Sequence, residues 1–467
     1  MFRLLHALAA CAAVLLTGCV ALDPHEILTR RVVPASAPSP ADAYASDSLD
    51  AATRRAAFER VWRTVDERYY DPAMNGVDWK AAVARWQPLV LEAPDDAAFW
   101  DRLDRMAGEL RDVHTRVESP ARAWLLERSQ SVSLGFDFGP LGEVLAVTSV
   151  DAESGAWRAG VRPGMVLLEV DGEPARDVYG RLRAQARDGS TEQQRHRLAA
   201  RRLLSGEPDT AVQLAFERAD GTRLQVTLRR MRFTQPPRVA HRRLPDGTGY
   251  IRLTAWDERL RRRMIAALTG LKDAPALVID LRGNGGGSGG MVHEVARQFF
   301  EGERPAGRRL TRTGQPITLG FGLLEVVKLQ PVIKGTGLYR GPVAILVDAG
   351  SGSASELFAG LLQAHQRVTV VGRVSCGCLL GFLGYAALPG GGRLAYSEMG
   401  FVLPDGRRIE GTGVVPDVPV PLSLEDLRLG RDRTLEAAVA ALARAQNAAM
   451  PVIARPRISA WMSCVPS

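Results

Sequence analysis

Two glycine-rich junctions, each placed between an apolar strand and a helix, constrain the fold of this 467-residue chain more than any other feature. The first reads Asp-Leu-Arg-Gly-Asn-Gly-Gly-Gly at residues 280–287, and the second reads Asp-Ala-Gly-Ser-Gly-Ser-Ala-Ser-Glu at residues 348–356. Strands that alternate with helices in this way are typical of an α/β sheet domain. We therefore predict an α/β core with a central sheet over residues 240–425, followed by a helix and a tail at 426–467.

The strands and helices of this core are predicted from the spacing of its apolar residues. The expected strands are Tyr250–Thr254, Ala276–Leu281, Val343–Val347 and Val368–Val371, and the expected helices are Glu258–Lys272, Met291–Phe300 and Ser353–His365. Three consecutive glycines at 390–392 predict a later hairpin. The segment Leu424–Ala445 predicts a further helix on the outside of the core.

Each junction has two chemical interpretations. A glycine-rich turn that opens a helix can cradle phosphate, but residues 280–287 lack the Gly-Lys-Ser/Thr ending of a P-loop and the spacing of a dinucleotide fingerprint. The alternative is an oxyanion hole, in which backbone N–H groups face a developing negative charge. At the second junction a serine opens a helix, where the helix dipole favours an anion, although serines at such positions also act simply as N-caps.

The first 50 residues predict export and tethering rather than fold. Residues 1–18 join Arg3 to an apolar stretch that is too short to span a bilayer. They lead into Leu-Thr-Gly-Cys, which resembles the bacterial lipobox and implies a lipid-modified Cys19; an ordinary signal peptide is the alternative. Residues 19–50 predict a flexible tether. An Asp directly after the lipid-modified cysteine is the simplest signal for retention in the inner membrane, and this position holds Val20 instead. We therefore expect a lipid-anchored, periplasm-facing protein of the bacterial envelope, with the outer membrane favoured.

Two regions separate the tether from the core. Residues 51–125 carry apolar side chains at three- and four-residue spacing, which predicts a helical N-terminal domain. Residues 130–233 predict short strands with one long polar helix near Arg181–Leu204.

The second of these regions resembles a PDZ domain. The stretch Ser154–Gly172 is similar to the core turn of that family, and Leu134, Gly135 and Phe136 are similar to its carboxylate-binding loop. The resemblance implies a domain rich in β-strands, with helices, that binds the C-terminal carboxylate of a peptide while the peptide adds as an extra strand.

The order of these features resembles the C-terminal processing, or tail-specific, serine peptidases over residues 55–425. The motifs that carry the resemblance are the PDZ-like stretch, the 280–287 turn, Ser-Ala-Ser-Glu at 353–356, and the segment 404–417 that begins Pro-Asp-Gly-Arg. The resemblance implies that Ser353 is the nucleophile. It also implies an oxyanion hole made by Gly286 or Gly287 together with the N–H of Ala354.

The chain departs from this family at the catalytic lysine. The family commonly places a lysine 25 residues after the serine, and that position here is Cys378. Only four of the 60 basic residues are lysines, and none of them follows Lys334. The accessory aspartate position, 11 residues after the serine, holds Ala364. A serine–lysine dyad is therefore not predicted.

A second branch of the family, the tricorn-core-like peptidases, resembles the chain better in this respect. That branch uses a histidine, a serine and a glutamate, and its histidine context matches Asp-Val-His-Thr around His114. Glu410 occupies a plausible place for the acid. The other interpretations are a capping or core-edge histidine and an exposed hairpin glutamate. His365 is a rival base, but it lies roughly 18 Å along the predicted helix from Ser353.

The cysteines leave several interpretations open. Cys378 is reactive if His114 lowers its pKa, Cys464 is available to form a disulfide with Cys376 or Cys378 in an exported protein, or the Cys-x-Cys pair only packs where the lysine would be. A Cys-x-Cys pair without nearby histidines does not predict zinc, and we predict no metal or cofactor. Arginine pairs scattered among acids predict a solvated surface and no nucleic-acid partner.

These features together predict a membrane-anchored serine endopeptidase. Its partners would be a protein or peptide substrate with an exposed C-terminal tail and, through Cys19, a membrane. Cleavage would proceed through an acyl-enzyme. The alternative is an inactive pseudopeptidase that binds tails or regulates another protease through the PDZ-like region, and a weaker alternative is a carrier of apolar ligands. The sequence does not predict the oligomeric state.

Overall fold

The computed structural model of the protein describes residues 48–128, 130–234, 236–381 and 385–449. The predicted signal segment, the tether with Cys19, and the tail with Cys464 lie outside the described residues. The described part is a mixed α/β structure, with helices at its N-terminal end and a sheet at its core. Within these residues no helix combines the length and the apolar character that a membrane crossing needs.

The N-terminal region contains three helices, and an aspartate caps the N-terminus of each. The helices are α1 (Ala51–Arg68), α2 (Trp79–Leu91) and α3 (Asp96–Gly108), with a single 3-10 turn at Met74–Gly76. Asp50, Asp78 and Asp95 each accept a hydrogen bond from the N–H three residues later, which satisfies a backbone donor that the helix itself leaves free. Strand β1 (Arg116–Glu118) and helix α4 (Pro120–Glu127) follow.

The middle region is an antiparallel sheet with helices packed on it. Its strands are β2 (Gln130–Ser133), β3 (Phe136–Leu141), β4 (Val144–Val150), β5 (Val166–Val170), β6 (Glu173–Pro174), β7 (Ala211–Glu217), β8 (Arg223–Arg229) and β9 (Met231–Thr234), and its helices are α5 (Gly155–Arg158), α6 (Ala175–Gln185) and α7 (Glu192–Leu204). The sheet order is β3-β4-β5-β7-β8, with β6 paired to β5 and β2 paired to β9. The PDZ resemblance of this region stays a prediction.

The single long helix expected near 181–204 is wrong. Two helices, α6 and α7, occupy this segment and are separated by residues 186–191. Ala186 leaves α6 in an extended conformation, and Thr191 caps α7 by accepting a hydrogen bond from the N–H of Gln194. Because Thr191 caps a second helix, residues 186–191 need not continue the axis of α6.

The core is a six-stranded sheet in the order β10-β11-β12-β18-β19-β24. These strands are β10 (Val239–Arg243), β11 (Gly249–Leu253), β12 (Leu277–Asp280), β18 (Val343–Val347), β19 (Thr369–Gly372) and β24 (Val418–Pro419). Strand β10 pairs antiparallel with β11, and all other neighbours are parallel. The strands β12 and β18 are buried along their whole length, as expected of a parallel sheet covered on both faces.

Helices cover the two faces of this sheet. Helices α8 (Arg261–Gly270), α9 (Gly289–Ala296) and α10 (Ala354–Ala364) pack with the side chains of Ile279 and Ile345 on one face. Helix α12 (Arg433–Ala449) packs on the other face. It is separated from a short helix α11 (Leu424–Leu429) by Gly430, whose φ of 64° ends α11. The C-terminal helix predicted as continuous is thus two helices.

Short strands complete the core and connect it to the N-terminal helices. They are β13 (Glu303–Pro305), β14 (Arg308–Leu310), β15 (Ile317–Leu319), β16 (Leu324–Val327), β17 (Val332–Lys334), β20 (Leu380–Gly381), β21 (Tyr385–Ala387), β22 (Arg393–Ala395) and β23 (Met399–Val402), and 3-10 turns lie at Glu258–Leu260 and Arg297–Phe299. The hairpin predicted at glycines 390–392 is confirmed as β21–β22. Its side chains share one apolar cluster with α1, α2 and α3, so the helical region packs directly on the core.

Candidate active site

The two glycine-rich junctions lie side by side at the carboxyl ends of two central strands of the core sheet. Strands β12 and β18 are parallel neighbours, with Asp280 opposite Leu346. The 280–287 turn leaves the end of β12, and the 348–353 turn leaves the end of β18. The carboxyl edge of such a sheet is the usual place for a binding or catalytic site.

Four hydrogen bonds join the two turns. The carbonyl of Asn284 accepts from the N–H of Gly352 at 3.0 Å and from the hydroxyl of Ser355 at 2.8 Å. The hydroxyl of Ser351 donates to the carbonyl of Leu281 at 2.8 Å. The carboxylate of Asp348 accepts from the N–H of Gly283 at 2.9 Å. Because Asn284, Ser351 and Ser355 are fully buried, the bonds that they make are shielded from water and fix the turns relative to each other, whereas the bond between Gly283 and Asp348 is exposed.

Ser353 is held in a strained conformation at the start of α10. Its φ is 51° and its ψ is −114°, a combination that costs a residue other than glycine about 1–3 kcal/mol and needs support from the surroundings. Its N–H donates to Glu356 Oε2 at 2.9 Å and to the Cys378 carbonyl at 3.1 Å. The residue is partly exposed. This geometry resembles the sharp strand-to-helix turn that presents a nucleophilic serine.

The structure brings the predicted oxyanion residues to this serine. A Cβ on Gly286 would lie 2.7 Å from the Ser353 Cβ, so only glycine permits the approach. The N–H of Gly286, however, donates to the Asn284 side chain at 3.0 Å. The N–H groups of Gly287 and Ala354 make no hydrogen bond to another described residue. These two N–H groups are therefore left for an acceptor that the described residues do not supply.

Cys378 does not provide a thiol at the position of the missing lysine. It forms a disulfide with Cys376, two residues earlier, and both cysteines are buried. The interpretations that Cys378 is a reactive thiol, or that Cys464 pairs with Cys376 or Cys378, are therefore wrong. A disulfide sulfur has no proton to exchange and cannot act as a base.

A buried carboxylate that the sequence reasoning missed stabilises this side of the site. Glu356 accepts hydrogen bonds from Ser353 N–H, from Ser375 Oγ at 2.5 Å, from Gly377 N–H at 2.7 Å and from Cys378 N–H at 3.0 Å. Burial raises its pKa to about 7, although these four donors act in the opposite direction. The signal was present in the sequence, since a glutamate three residues after a helix N-cap often binds the cap N–H.

The predicted base, His114, is held by a buried aspartate. The backbone N–H of His114 donates to Asp112 Oδ1 at 2.8 Å, and the ring Nδ1 lies 3.8 Å from the same oxygen. Burial lowers the pKa of His114 to about 4, and the guanidinium groups of Arg116 and Arg187 act in the same direction while Asp112 opposes them. The imidazole is consequently neutral at neutral pH, the state in which it can accept a proton.

Asp112 itself is anchored by three neighbours. Its Oδ2 accepts from Thr115 Oγ1 at 2.5 Å and from Ser397 Oγ at 2.6 Å. The side chain of Arg187 donates to the Asp112 carbonyl at 2.9 Å. The carboxylate is fully buried, and two of these neighbours, Arg187 and Ser397, come from distant parts of the sequence, whereas Thr115 belongs to the same Asp-Val-His-Thr segment.

Glu410 has a buried carboxylate that is repelled by Asp112 on the histidine side and by Glu356 on the serine side. Both carboxylate oxygens are buried and neither accepts a hydrogen bond of normal geometry from a described residue. Burial raises its pKa well above the ordinary value; Asp112 and Glu356 add repulsion, while Ser190 and Leu379 nearby lower it. Since Asp112 binds His114 and Glu356 binds Ser353, Glu410 is the group that connects the two sides electrostatically. The exposed-hairpin interpretation of its carboxylate is wrong.

The break between α6 and α7 brings the middle region into the site. Ser190 Oγ accepts from Val113 N–H at 3.2 Å. Thr191 Oγ1 donates to the Cys376 carbonyl at 2.8 Å, and Arg197 donates to the Ala349 carbonyl at 2.8 Å. The segment therefore forms one wall of the site.

The remaining predicted residues lie elsewhere. Leu134, Gly135 and Phe136 precede and begin β3, which is an edge strand of the described middle sheet. Gly135 has φ +86°, and a Cβ there would lie 2.3 Å from Ser154 Cβ. His365 ends α10 and its Nε2 lies 2.9 Å from the Pro305 carbonyl oxygen, at the opposite end of the helix from Ser353.

Comparison with known proteins finds sequence similarity to peptidases. Residues 247–420 match peptidase family S41, and residues 50–108 match the tricorn protease C1 domain. A carboxyl-terminal-processing peptidase from the chloroplast of Arabidopsis thaliana is 24% identical, over 82% of this chain and 72% of the relative. A putative tricorn protease homologue from Streptomyces coelicolor is 27% identical over 90% of this chain, which spans only 35% of that relative.

Solved structures show the same fold at low identity. Mature CPAF superposes with a TM-score of 0.62 at 15% identity, over 85% of this chain and 97% of CPAF. The photosystem II D1 C-terminal processing protease gives a TM-score of 0.51 at 24% identity, over 81% of this chain and 97% of that protein. The chain is therefore similar to the S41 peptidases over its sheet core and to the tricorn protease C1 domain over its N-terminal helices.

Proposed function

We propose that this protein is a serine-type peptidase that processes or degrades proteins from their exposed C-terminal tails. The observation that carries the proposal is the Ser353 turn. A strained serine at a helix N-terminus lies against a glycine-rich turn, with the N–H of Ala354 left for an oxyanion. The match to peptidase family S41 and the carboxyl-terminal-processing relatives support the same reaction class.

In the proposed reaction Ser353 Oγ attacks the carbonyl carbon of the scissile peptide bond. Its proton passes to His114, and the carbonyl oxygen becomes an oxyanion that the N–H groups of Ala354 and Gly287 stabilise. His114 then gives the proton to the leaving amine as the C–N bond breaks, which leaves an acyl group on Ser353. A water molecule, deprotonated by His114, releases the acyl group and restores the serine.

Glu410 is proposed to orient His114 and to stabilise its protonated form. The support is electrostatic: a buried carboxylate beside the cluster of Asp112 gains most when a positive charge develops nearby. The low pKa of His114 keeps the ring neutral before the attack. The disulfide at the lysine position excludes Cys378 as a competing base.

The middle region is proposed to hold the substrate tail in the manner of a PDZ domain. The free edge of β3 can accept an additional strand, and the positive φ of Gly135 aims the 134–136 loop away from regular β structure. A substrate with a free C-terminal carboxylate should then be preferred over the same substrate with an amidated end.

The protein is further proposed to be a lipoprotein of the bacterial envelope. The support is the Leu-Thr-Gly-Cys segment before a proline-containing tether. Labelled palmitate should enter the full chain in a bacterial host and should be absent from the Cys19→Ala variant. Equal labelling of the two proteins would contradict the anchor.

The decisive experiment compares the unmutated protein with Ser353→Ala on one unstructured, tail-bearing substrate. Cleavage by the former and none by the latter supports the proposal, and matched substrates with free and amidated C-termini test tail selection. Equal cleavage by both proteins would exclude Ser353 as nucleophile. Tail binding without cleavage by the unmutated protein would replace the proposal with a pseudopeptidase.

A further inference from the structure

A two-residue disulfide packs against the serine turn. The Cα atoms of Cys376 and Cys378 are 5.3 Å apart, and the two residues are 3% and 6% exposed. A Cβ added to Gly352 would lie 3.0 Å from the Cys378 sulfur and 3.4 Å from the Cys376 Cβ. The disulfide is thus in van der Waals contact with the residue that immediately precedes Ser353.

Two backbone hydrogen bonds tie the disulfide turn to the serine turn. The Cys376 N–H donates to the Ser351 carbonyl at 2.9 Å, and the Ser353 N–H donates to the Cys378 carbonyl at 3.1 Å. The two serines in these bonds, Ser351 and Ser353, flank Gly352 on one segment, and the two half-cystines flank Gly377 on the other. The two half-cystines therefore supply one hydrogen bond on each side of the nucleophile's neighbour.

The carboxylate of Glu356 joins the same two segments a second time. It accepts from the N–H groups of Gly377 and Cys378 and from the N–H of Ser353. These three donors converge on one side chain only if the 376–378 turn keeps its shape. Gly377 has φ +69°, which a flexible Cys-Gly-Cys segment adopts as one of several conformations.

A strained serine needs such support. The conformation of Ser353 costs about 1–3 kcal/mol and persists only where the surroundings determine it fully. A bond of about 2 Å between the sulfurs removes alternative conformations of the three-residue turn, whereas two separate thiols would have to move apart to van der Waals distance.

We propose that the Cys376–Cys378 disulfide is a positioning element that holds the turn of Ser353 in its reactive conformation. It lies at the position where the family resemblance implies a lysine. The inference rests on the proposed function of Ser353. In the proposed reaction the disulfide has no part in tail binding or in proton transfer, so its loss should lower kcat and leave the tail affinity unchanged.

Reduction by a dithiol opens this bond in a balanced exchange. Two electrons pass from the dithiol to the disulfide, Cys376 and Cys378 each become a thiol, and the reductant becomes a cyclic disulfide. Removal of the reductant and addition of oxidised glutathione reverses the exchange.

The test compares kcat and KM of the full chain when oxidised, when reduced with a dithiol, and after reoxidation. A misplacement of the nucleophile by 1 Å costs on the order of 100-fold in rate, so we expect kcat to fall roughly 10- to 100-fold on reduction, with KM within about twofold, and to recover on reoxidation. Mass spectrometry after alkylation confirms the state of each cysteine.

Two variants separate this disulfide from other thiols. Cys376→Ala/Cys378→Ala should be slow from the start and should not respond to the dithiol, whereas Cys464→Ala should respond as the unmutated protein does. Melting temperatures show whether each form is folded. A folded reduced protein with unchanged kcat, or a change confined to KM, would overturn the inference.

Hydrogen–deuterium exchange gives a readout that does not need activity. Peptides that cover 351–357 should exchange faster after reduction, because the Ser353 N–H loses its hold on the Cys378 carbonyl. If Ser353→Ala cleaves as well as the unmutated protein, the proposed function fails, and exchange at 351–357 then decides the inference alone: unchanged protection would reject it.

Discussion

The serine side and the histidine side of the site are built in different ways. On the serine side, hydrogen bonds between two adjacent turns on one sheet, together with those accepted by the carboxylates of Asp348 and Glu356, hold the turn of Ser353, and a disulfide packs against the contact. On the histidine side the buried ionisable groups are Asp112 and His114, from one segment, and Glu410, from another; Asp112 interacts electrostatically with both of the others. The position of the nucleophile is thus set by hydrogen bonds, whereas the state of the base depends on which buried groups are charged.

The largest expected effect comes from removing the base. His114→Ala should lower kcat by about 100- to 10,000-fold, the usual contribution of a general base. His365→Ala should leave kcat nearly unchanged, because that side chain lies at the far end of α10. Steady-state cleavage of a tail-bearing substrate measures both. A similar loss in the two variants, or a loss only in the second, would show that the base has been assigned to the wrong histidine.

A smaller but still large effect is expected at the serine turn. Gly286→Ala places a methyl group 2.7 Å from Ser353 Cβ on a backbone with φ +111°. We expect roughly a 100-fold lower kcat and about 1–3 kcal/mol lower stability. Gly285→Ala is the matched control, since no heavy atom lies within 4 Å of its Cβ position. Equal rates for both variants would mean that the turn tolerates displacement.

Glu410→Gln tests the electrostatic link between the two sides. With Glu410's pKa raised well above 4.5 and His114's lowered to about 4, the acidic limb of the pH–rate profile should follow the ionisation of Glu410. The variant should lose on the order of tenfold in kcat at neutral pH, and its acidic limb should move down towards pH 4. A profile that keeps its shape in the variant would remove Glu410 from the mechanism.

The smallest effect concerns Glu356 and is seen in stability. Because the folded-state pKa of its carboxyl is raised from 4.5 to about 7, the folded state binds more protons than the unfolded state between these values. Stability contributed by this group therefore falls as pH rises from about 4.5 to 7, by at most ~3 kcal/mol, and is constant above.

Denaturant unfolding of Glu356→Gln at several pH values checks this slope. The variant lacks the titrating carboxyl, so the difference in unfolding free energy between the two proteins should change over that pH range. His114 has the opposite sign, because a lowered pKa makes stability rise between about 4 and 6.5, and it cancels in the difference. A difference that is independent of pH would indicate a Glu356 that stays ionised.

The sequence predicted the serine side well because its signals are local. The two junctions follow buried strands, and strand Val343–Val347 was predicted to the residue. Parallel strands place their carboxyl ends together, and because β12 and β18 are neighbours the 280–287 turn lies beside Ser353, as the family resemblance implied. The fold class was predicted from the alternation of strands and helices, and the N-terminal helices from apolar spacing, both of which are local signals.

The histidine side and the disulfide could not be predicted as fully. The partners of Asp112 lie at 187 and 397, and only tertiary packing brings them together. The segment 181–204 does carry a local break signal, since Asp-Gly-Ser-Thr at 188–191 is typical of a turn followed by a helix cap, but the prediction of one long helix passed over it. The pairing of Cys376 with Cys378 depends on a turn whose shape is set by Glu356, a side chain on another element.

The break between α6 and α7 limits how the protein can be divided into parts. Thr191 and Arg197 belong to the middle region, yet they hydrogen-bond to the carbonyls of Cys376 and Ala349 in the core. A binding domain that hangs from a catalytic domain can be deleted or exchanged as a cassette, but removal of 130–234 here would take away part of the catalytic wall. Recombination between relatives should therefore keep the 186–204 segment with the core that it touches, whichever protein supplies the rest of the middle region.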